Sequence, residues 1–183
     1  LIILGDGNTN KFGNSSVSSF YTDLDPLNYK NTNFGGENKK NNSGYISYVR
    51  IEYAGGKSKN SNVSNALLLA GVGAKTTINN VMVSYSAGNS VNIIGGKVNM
   101  NQMVSYKSNG NDYNFSYGAD CIINNSLAVR SPYVSSGKSR CFNVVSYDNA
   151  NDVDFTKKGT AVVAKNITLL TDSENLDNDI KLG

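Results

Sequence analysis

The chain has 183 residues, 39% of them apolar, and a formal charge of only +3, so it can bury the core of one domain and shows no composition shift dividing it into two. Histidine is absent, which removes the commonest general base and every Ser-His or Cys-His nucleophile. No run approaches the roughly 20 apolar residues of a membrane span.

The chain opens on Leu1-Ile2-Ile3-Leu4-Gly5, an apolar strand-like run without an initiator Met, which reads as the continuation of upstream sequence. Residues 6–43, rich in Asn, Ser, Asp and Lys, predict a long irregular excursion, so that 1–43 form a strand followed by a loop. From 44 to 171 the apolar runs are short, rich in Val, Ile and Thr, and separated by Asn/Gly/Ser clusters, as strands are. One signature returns as Ile51-Glu52-Tyr53, Val83-Ser84-Tyr85, Val104-Ser105-Tyr106 and Val145-Ser146-Tyr147, with Leu127-Ala128-Val129 and Ile167-Thr168-Leu169 as relatives. Its tyrosines are spaced by 32, 21 and 41 residues, the last interval being divided by the strand at Val129. A period of about 17 to 24 residues suits neither a leucine-rich repeat nor an α-solenoid. It predicts an all-β fold: a right-handed parallel β-helix, or solenoid, of about five to six coils. The tail 172–183 carries Asp172, Glu174, Asp177 and Asp179 and is expected to leave the stack or cap it.

Amides recur before each signature strand, in Ile78-Asn79-Asn80-Val81, Met100-Asn101-Gln102-Met103, Ile123-Asn124-Asn125-Ser126 and Ala164-Lys165-Asn166-Ile167. Coils stack about 4.8 Å apart, so equivalent Asn side chains are expected to hydrogen-bond along the stack at a corner. Strand alternation places Val83 and Tyr85 inward and Ser84 outward. Tyr53, Tyr85, Tyr106 and Tyr147 would then stack at the core's edge with their hydroxyls reaching water, the alternative being an exposed sugar-binding strip. Lys39/Lys40, Lys57/Lys59 and Lys157/Lys158 lie in Gly/Asn/Ser-rich stretches and read as solvated loop charges. No basic stripe interleaved with aromatic residues is present, so nucleic acid is not an expected partner.

Several segments resemble a parallel β-helix family of secreted and surface proteins and lipoproteins of Bacteroidota. The resemblance rests on Asn42-Ser43-Gly44-Tyr45-Ile46-Ser47-Tyr48-Val49-Arg50-Ile51-Glu52-Tyr53-Ala54-Gly55 and Leu67-Leu68-Leu69-Ala70-Gly71-Val72-Gly73-Ala74-Lys75-Thr76-Thr77-Ile78. It continues through Val81–Ser86, Gly95–Asn99 and Asn166–Leu170, covering about residues 35 to 171. Where the family tends to carry an Asp-rich run, this chain has Asn109-Gly110-Asn111-Asp112-Tyr113-Asn114-Phe115-Ser116, leaving Asp112 as its one acid and weak metal candidate. A hard cation needs several charged oxygens. The resemblance implies an extracellular or outer-membrane surface location.

No cofactor is expected. Cys121 and Cys141 are only two soft ligands, too few for zinc. They stand 20 residues apart, about one coil, so a disulfide is one expectation. Two buried free thiols are the other, because the two cysteines differ in their spacing to the following strand. The nearest approach to a catalytic set is Asp112, Asp120, Arg130, Arg140, Asp148, Asp152 and Asp154, mostly in turn-like contexts where Asp and Asn cap backbone. The sequence thus points to a non-catalytic surface module, acting as scaffold, adhesin or accessory subunit toward another surface or outer-membrane protein or a glycan. Glycan-binding or lyase- and hydrolase-like glycan-active function is the alternative.

Overall fold

The computed structural model describes residues 1–12, 15–16, 32–56, 64–131, 138–171 and 180–182. The Lys57/Lys59 pair, residues 17–31 of the expected excursion and residues 172–179 of the tail lie outside the described residues.

Two parallel sheets carry the fold. The first contains β1 (Ile2–Leu4), β5 (Leu67–Ala70), β7 (Val91–Ile94), β9 (Tyr113–Ser116), β11 (Phe142–Val144) and β13 (Ile180–Leu182), in that spatial order. The second contains β4 (Tyr45–Glu52), β6 (Thr77–Ser84), β8 (Asn99–Tyr106), β10 (Asp120–Val129) and β12 (Ala161–Leu170). From β4 to β12 successive strands alternate between the sheets, the winding of a β-helix, and among the described residues of 44–171 every strand pairing is parallel. Among the described residues antiparallel pairing is confined to β2 (Ser15–Ser16) with β3 (Asn33–Phe34) and to the Lys11–Val153 bridge. Among the described residues no helix is long and apolar enough to cross a membrane.

Register explains the spacing of the repeat. Glu52 pairs with Ser84, Ser84 with Tyr106, Val129 with Tyr106, and Val129 with Leu170, giving steps of 32, 22, 23 and 41 residues. The core is built from columns that recur at these steps. Leu67, Val91, Tyr113 and Phe142 stack from one sheet, while Ile78, Met100 and Ile123 stack from the other, and nearly all are fully buried. The opposite face of the first sheet holds a smaller cluster of Leu68, Ala70, Ile94 and Tyr117 under Phe34.

Each long strand of the second sheet bends in the middle. Tyr48, Asn80, Gln102, Asn125 and Asn166 occupy one column and all have φ between 49° and 57°. Asn adopts this left-handed conformation more readily than most side chains. The expected ladder runs along this corner: Asn125 Nδ2 donates to Asn101 Oδ1 at 3.0 Å, and Asn166 Nδ2 to Asn125 Oδ1 at 3.1 Å. At the opposite turn Gly96 has φ 76°, and a Cβ there would lie 2.4 Å from the Val72 carbonyl oxygen, so only glycine fits.

One expectation needs correction. Val145-Ser146-Tyr147 does not belong to the second sheet; it follows β11 in the first, so its likeness to the signature is a coincidence of composition. Of the tail, expected to leave the stack or cap it, Ile180–Leu182 pairs in register with Phe142–Val144 as the end strand of the first sheet.

Candidate functional site

The tyrosine column faces solvent. Tyr53 is 77% exposed and Tyr85 40%, their rings stacked 5.0 Å apart at 8°. Tyr106, half-buried, meets Tyr85 edge-on at 5.5 Å, with the Lys107 ammonium 5.1 Å from its own ring centre. The inward placement fails for a local reason. Tyr53 and Tyr85 have φ of 52° and 54°, so the backbone leaves extended geometry there and alternation from Val83 no longer applies. Tyr106 aligns with Ser84 rather than Tyr85, one position off the column. Tyr147 stands apart, packed edge-on against Phe155 at 5.5 Å. Desolvation and the neighbouring Tyr106 hydroxyl hold the Tyr85 phenol above its usual value. Beside these rings Arg50 donates to Glu52 at 2.6 Å and Ser84 Oγ to the same carboxylate at 3.0 Å, which together hold Glu52 below the usual range. The sequence reading missed Tyr45 and Tyr48 on edge strand β4, 71% and 85% exposed; an edge strand cannot be told from a central one by residue pattern alone.

Asp112 does the opposite of what a metal ligand requires. It is fully buried, its Oδ2 accepts from Arg130 Nη1 at 2.9 Å and its Oδ1 accepts from Ser105 Oγ. Ser105 and Ser108 both meet Ser90, so three buried hydroxyls continue the network into the coil interior. Arg130 also donates to Gly110 O at 3.1 Å and Ser139 Oγ at 2.6 Å. Burial raises the Asp112 carboxyl from 3.8 to about 6, against the opposing pull of Arg130 and Ser105. The serines were not singled out from sequence, since a Ser in a strand reads as surface until the register places it in a core column between Val83 and Ala128, as Ser105 is.

The remaining acids are dispersed. Asp120 sits 3.5 Å from Lys97 and 3.6 Å from Lys158, Asp152 lies 3.6 Å from Lys11, and Asp154 accepts from the Thr156 amide at 3.0 Å. Asp148 lies near the Tyr117 hydroxyl, and Arg140 donates to the Lys138 carbonyl. Among the described residues no group of three or more His, Cys, Asp or Glu side chains is placed to hold a metal.

The disulfide expectation is also corrected: both cysteines are buried thiols that form no disulfide. Cys121 belongs to β10 of the second sheet and aligns with Val162, whereas Cys141 precedes β11 of the first, where its carbonyl accepts from Tyr113 N. A sequence spacing of about one coil therefore does not make them stacked neighbours. Burial pushes the Cys121 thiol up to about 12, which leaves it unreactive at neutral pH.

Comparison with known proteins adds a family. A family model described as a pectate-lyase-like beta helix domain matches residues 1–182. No curated protein and no solved structure matches the chain.

Proposed function

The chain belongs to the pectate-lyase-like β-helix domain family, and from that premise we propose that it is a non-catalytic member, a recognition module of a cell-surface or extracellular protein. It acts as scaffold, adhesin or accessory subunit, with the coils, five to six in number, wound right-handed as parallel crossovers nearly always are. The observation that carries this reading is the placement of Asp112. The one acid in the segment where the resembling family tends to be acidic is sealed from solvent and neutralised by Arg130, so it reaches neither a substrate nor a cation. Metal-assisted and paired-acid mechanisms both need carboxylates that converge on an accessible point.

The exposed Tyr53–Tyr85–Tyr106 flank supports a second reading, a glycan-binding face. Flat aromatic rings presented to water match the apolar faces of sugar rings, and a left-handed backbone holding two of them outward is strain of the kind found at binding sites. The test is incubation with acidic and neutral polysaccharides, with and without Ca²⁺, following new reducing ends, unsaturated products and binding. Sustained turnover abolished by Asp112→Ala or Asp148→Ala overturns the non-catalytic reading. Binding without turnover that is lost in Tyr53→Ala/Tyr85→Ala supports the glycan face.

A further inference from the structure

The second sheet ends on the same kind of edge at both ends of the stack. Among the described residues β4 pairs with β6 alone and β12 with β10 alone, so one side of each strand carries unpaired backbone groups. The core is open at both places. Ile46, Val49 and Ile51 at one end, and Val162, Ile167 and Leu169 at the other, are only partly buried, whereas Ile78, Val81 and Val83 one coil further in are sealed. Neither strand contains the proline that commonly blunts an exposed edge. The first sheet ends at the same two places, on β1 and β13.

The two edges match each other in shape and in polarity. β4 bends at Tyr48, with φ 57°, and β12 at Asn166, with φ 52°, and the two residues share one column. A straight strand would pair with one arm of such an edge; a strand with a left-handed residue at the same place can follow both. Tyr53 N bonds to Ser84 O and Gly44 O accepts from Thr77 N, so alternation turns the backbone N–H and C=O of Tyr45, Ser47, Arg50 and Glu52 outward. Leu170 O accepts from Arg130 N and Ala161 N donates to Ala119 O, which turns those of Ala164, Ile167 and Leu169 outward. Continuing the columns places Tyr45 beside Val163, Ile46 beside Ala164, Arg50 beside Thr168 and Ile51 beside Leu169. In that register Ala164 N meets Tyr45 O and Ser47 N meets Ala164 O, while Arg50 N meets Ile167 O and Leu169 N meets Arg50 O, the parallel pattern on both arms. Apolar lumen positions meet apolar lumen positions. Lys165 stands beside Ser47 and Arg50 beside Thr168, so no like charges face each other.

We propose that the chain associates with further copies of itself end to end, the β12 edge of one copy adding to the β4 edge of the next as a continuation of the sheet. The contact is heterologous, so it leaves one free edge of each kind and can grow into a linear filament. It depends neither on the non-catalytic reading nor on the tyrosine flank.

The test is sedimentation velocity of the full chain from micromolar to millimolar concentration, with electron microscopy at the upper end. Mass should rise with concentration through dimers to longer linear species. Arg50→Pro and Ala164→Pro each remove one outward N–H and leave the ladder within the chain untouched, a setting in which an edge strand tolerates proline. Circular dichroism and thermal unfolding check that each variant stays folded. Each should weaken self-association by about tenfold or more. Mixed, the two should form a one-to-one dimer that stops there, since each keeps one intact edge. Arg50→Ala, which keeps the N–H, and Tyr85→Ala, on the tyrosine flank, should associate as the wild type does. Hydrogen exchange of the wild type needs no variant: the Ser47, Arg50, Ala164 and Leu169 amides should become protected as concentration rises. The proposal is overturned by a monomer throughout the range, by a closed dimer that does not grow, by folded proline variants that associate as the wild type does or fail to pair when mixed, or by unchanged exchange at those amides.

Discussion

Asp112 and Asp120 lie eight residues apart in sequence and both pair with cations, yet they sit in opposite environments. Asp112 and Arg130 have side chains 0% and 5% exposed, at 2.9 Å, while Asp120 is 41% exposed and shares two lysines at 3.5 and 3.6 Å. Water screens the second set and leaves its charges available to a ligand; its absence binds the first set into the fold. Charge alone therefore does not mark function in this chain. The position of each acid relative to the coil wall decides whether it is structural or accessible.

The largest effect should come from breaking the inner pair. Arg130→Ala leaves a buried carboxylate without its cation and removes the donors to Gly110 O and Ser139 Oγ, so it should cost about 3 to 5 kcal/mol in denaturant unfolding. Asp112→Asn/Arg130→Met should cost less than the sum of the single changes, because no charge is then left buried alone. Additive losses would contradict a coupled pair.

The pH dependence of stability comes next. Burial raises Asp112 to about 6 in the folded chain, against about 3.9 for an unperturbed Asp. Between those values the native state binds more protons than the unfolded one, so stability falls as pH rises. Its contribution is complete below about pH 4 and lost by about pH 6, a change of about 3 kcal/mol. Glu52 and Asp154 are held low, so their contributions have the opposite sign and vanish only as pH falls below the usual carboxylate range. Asp112→Asn should flatten the decline between pH 4 and 6. Wild-type stability that rises through this window would contradict the assignment.

The corner ladder gives a smaller effect. Asn125→Ala loses two side-chain partners and puts a Cβ without local hydrogen bonding at φ 49°, for a cost of about 1 to 2 kcal/mol. Asn125→Gly relieves the backbone and should cost less. If the two variants were equally destabilised, the ladder and not the backbone would carry the effect.

Much of this was legible in the sequence. The Asn clusters marked the bent corner because few other residues both accept a left-handed φ and bond along a stack, and the Val/Ile columns followed from strand composition. Inward and outward were less legible. Tyr85 faces water because its own φ is positive, and no residue pattern announces that a tyrosine will take it. The Asp112–Ser105–Ser90 network was illegible for a different cause: its members come from three strands or turns, and only the register between coils brings them together. Cys121 and Cys141 show the same limit, since spacing measures coil length and not which sheet a residue occupies.

The smallest effect is the one that isolates the outer pair. Asp120→Asn removes a carboxylate that is 41% exposed and held by two mobile, solvated lysine heads, so unfolding stability should change by less than about 1 kcal/mol. The same change of Asp to Asn at position 112 alters the pH profile of the whole fold, which makes the two substitutions a matched pair. At position 120 Lys97 and Lys158 lose their counter-charge in water, so what small difference in stability there is should narrow as salt is added. A stability loss at position 120 comparable to that of Arg130→Ala would mean that the outer pair is structural as well, and the distinction between sealed and accessible acids would fail.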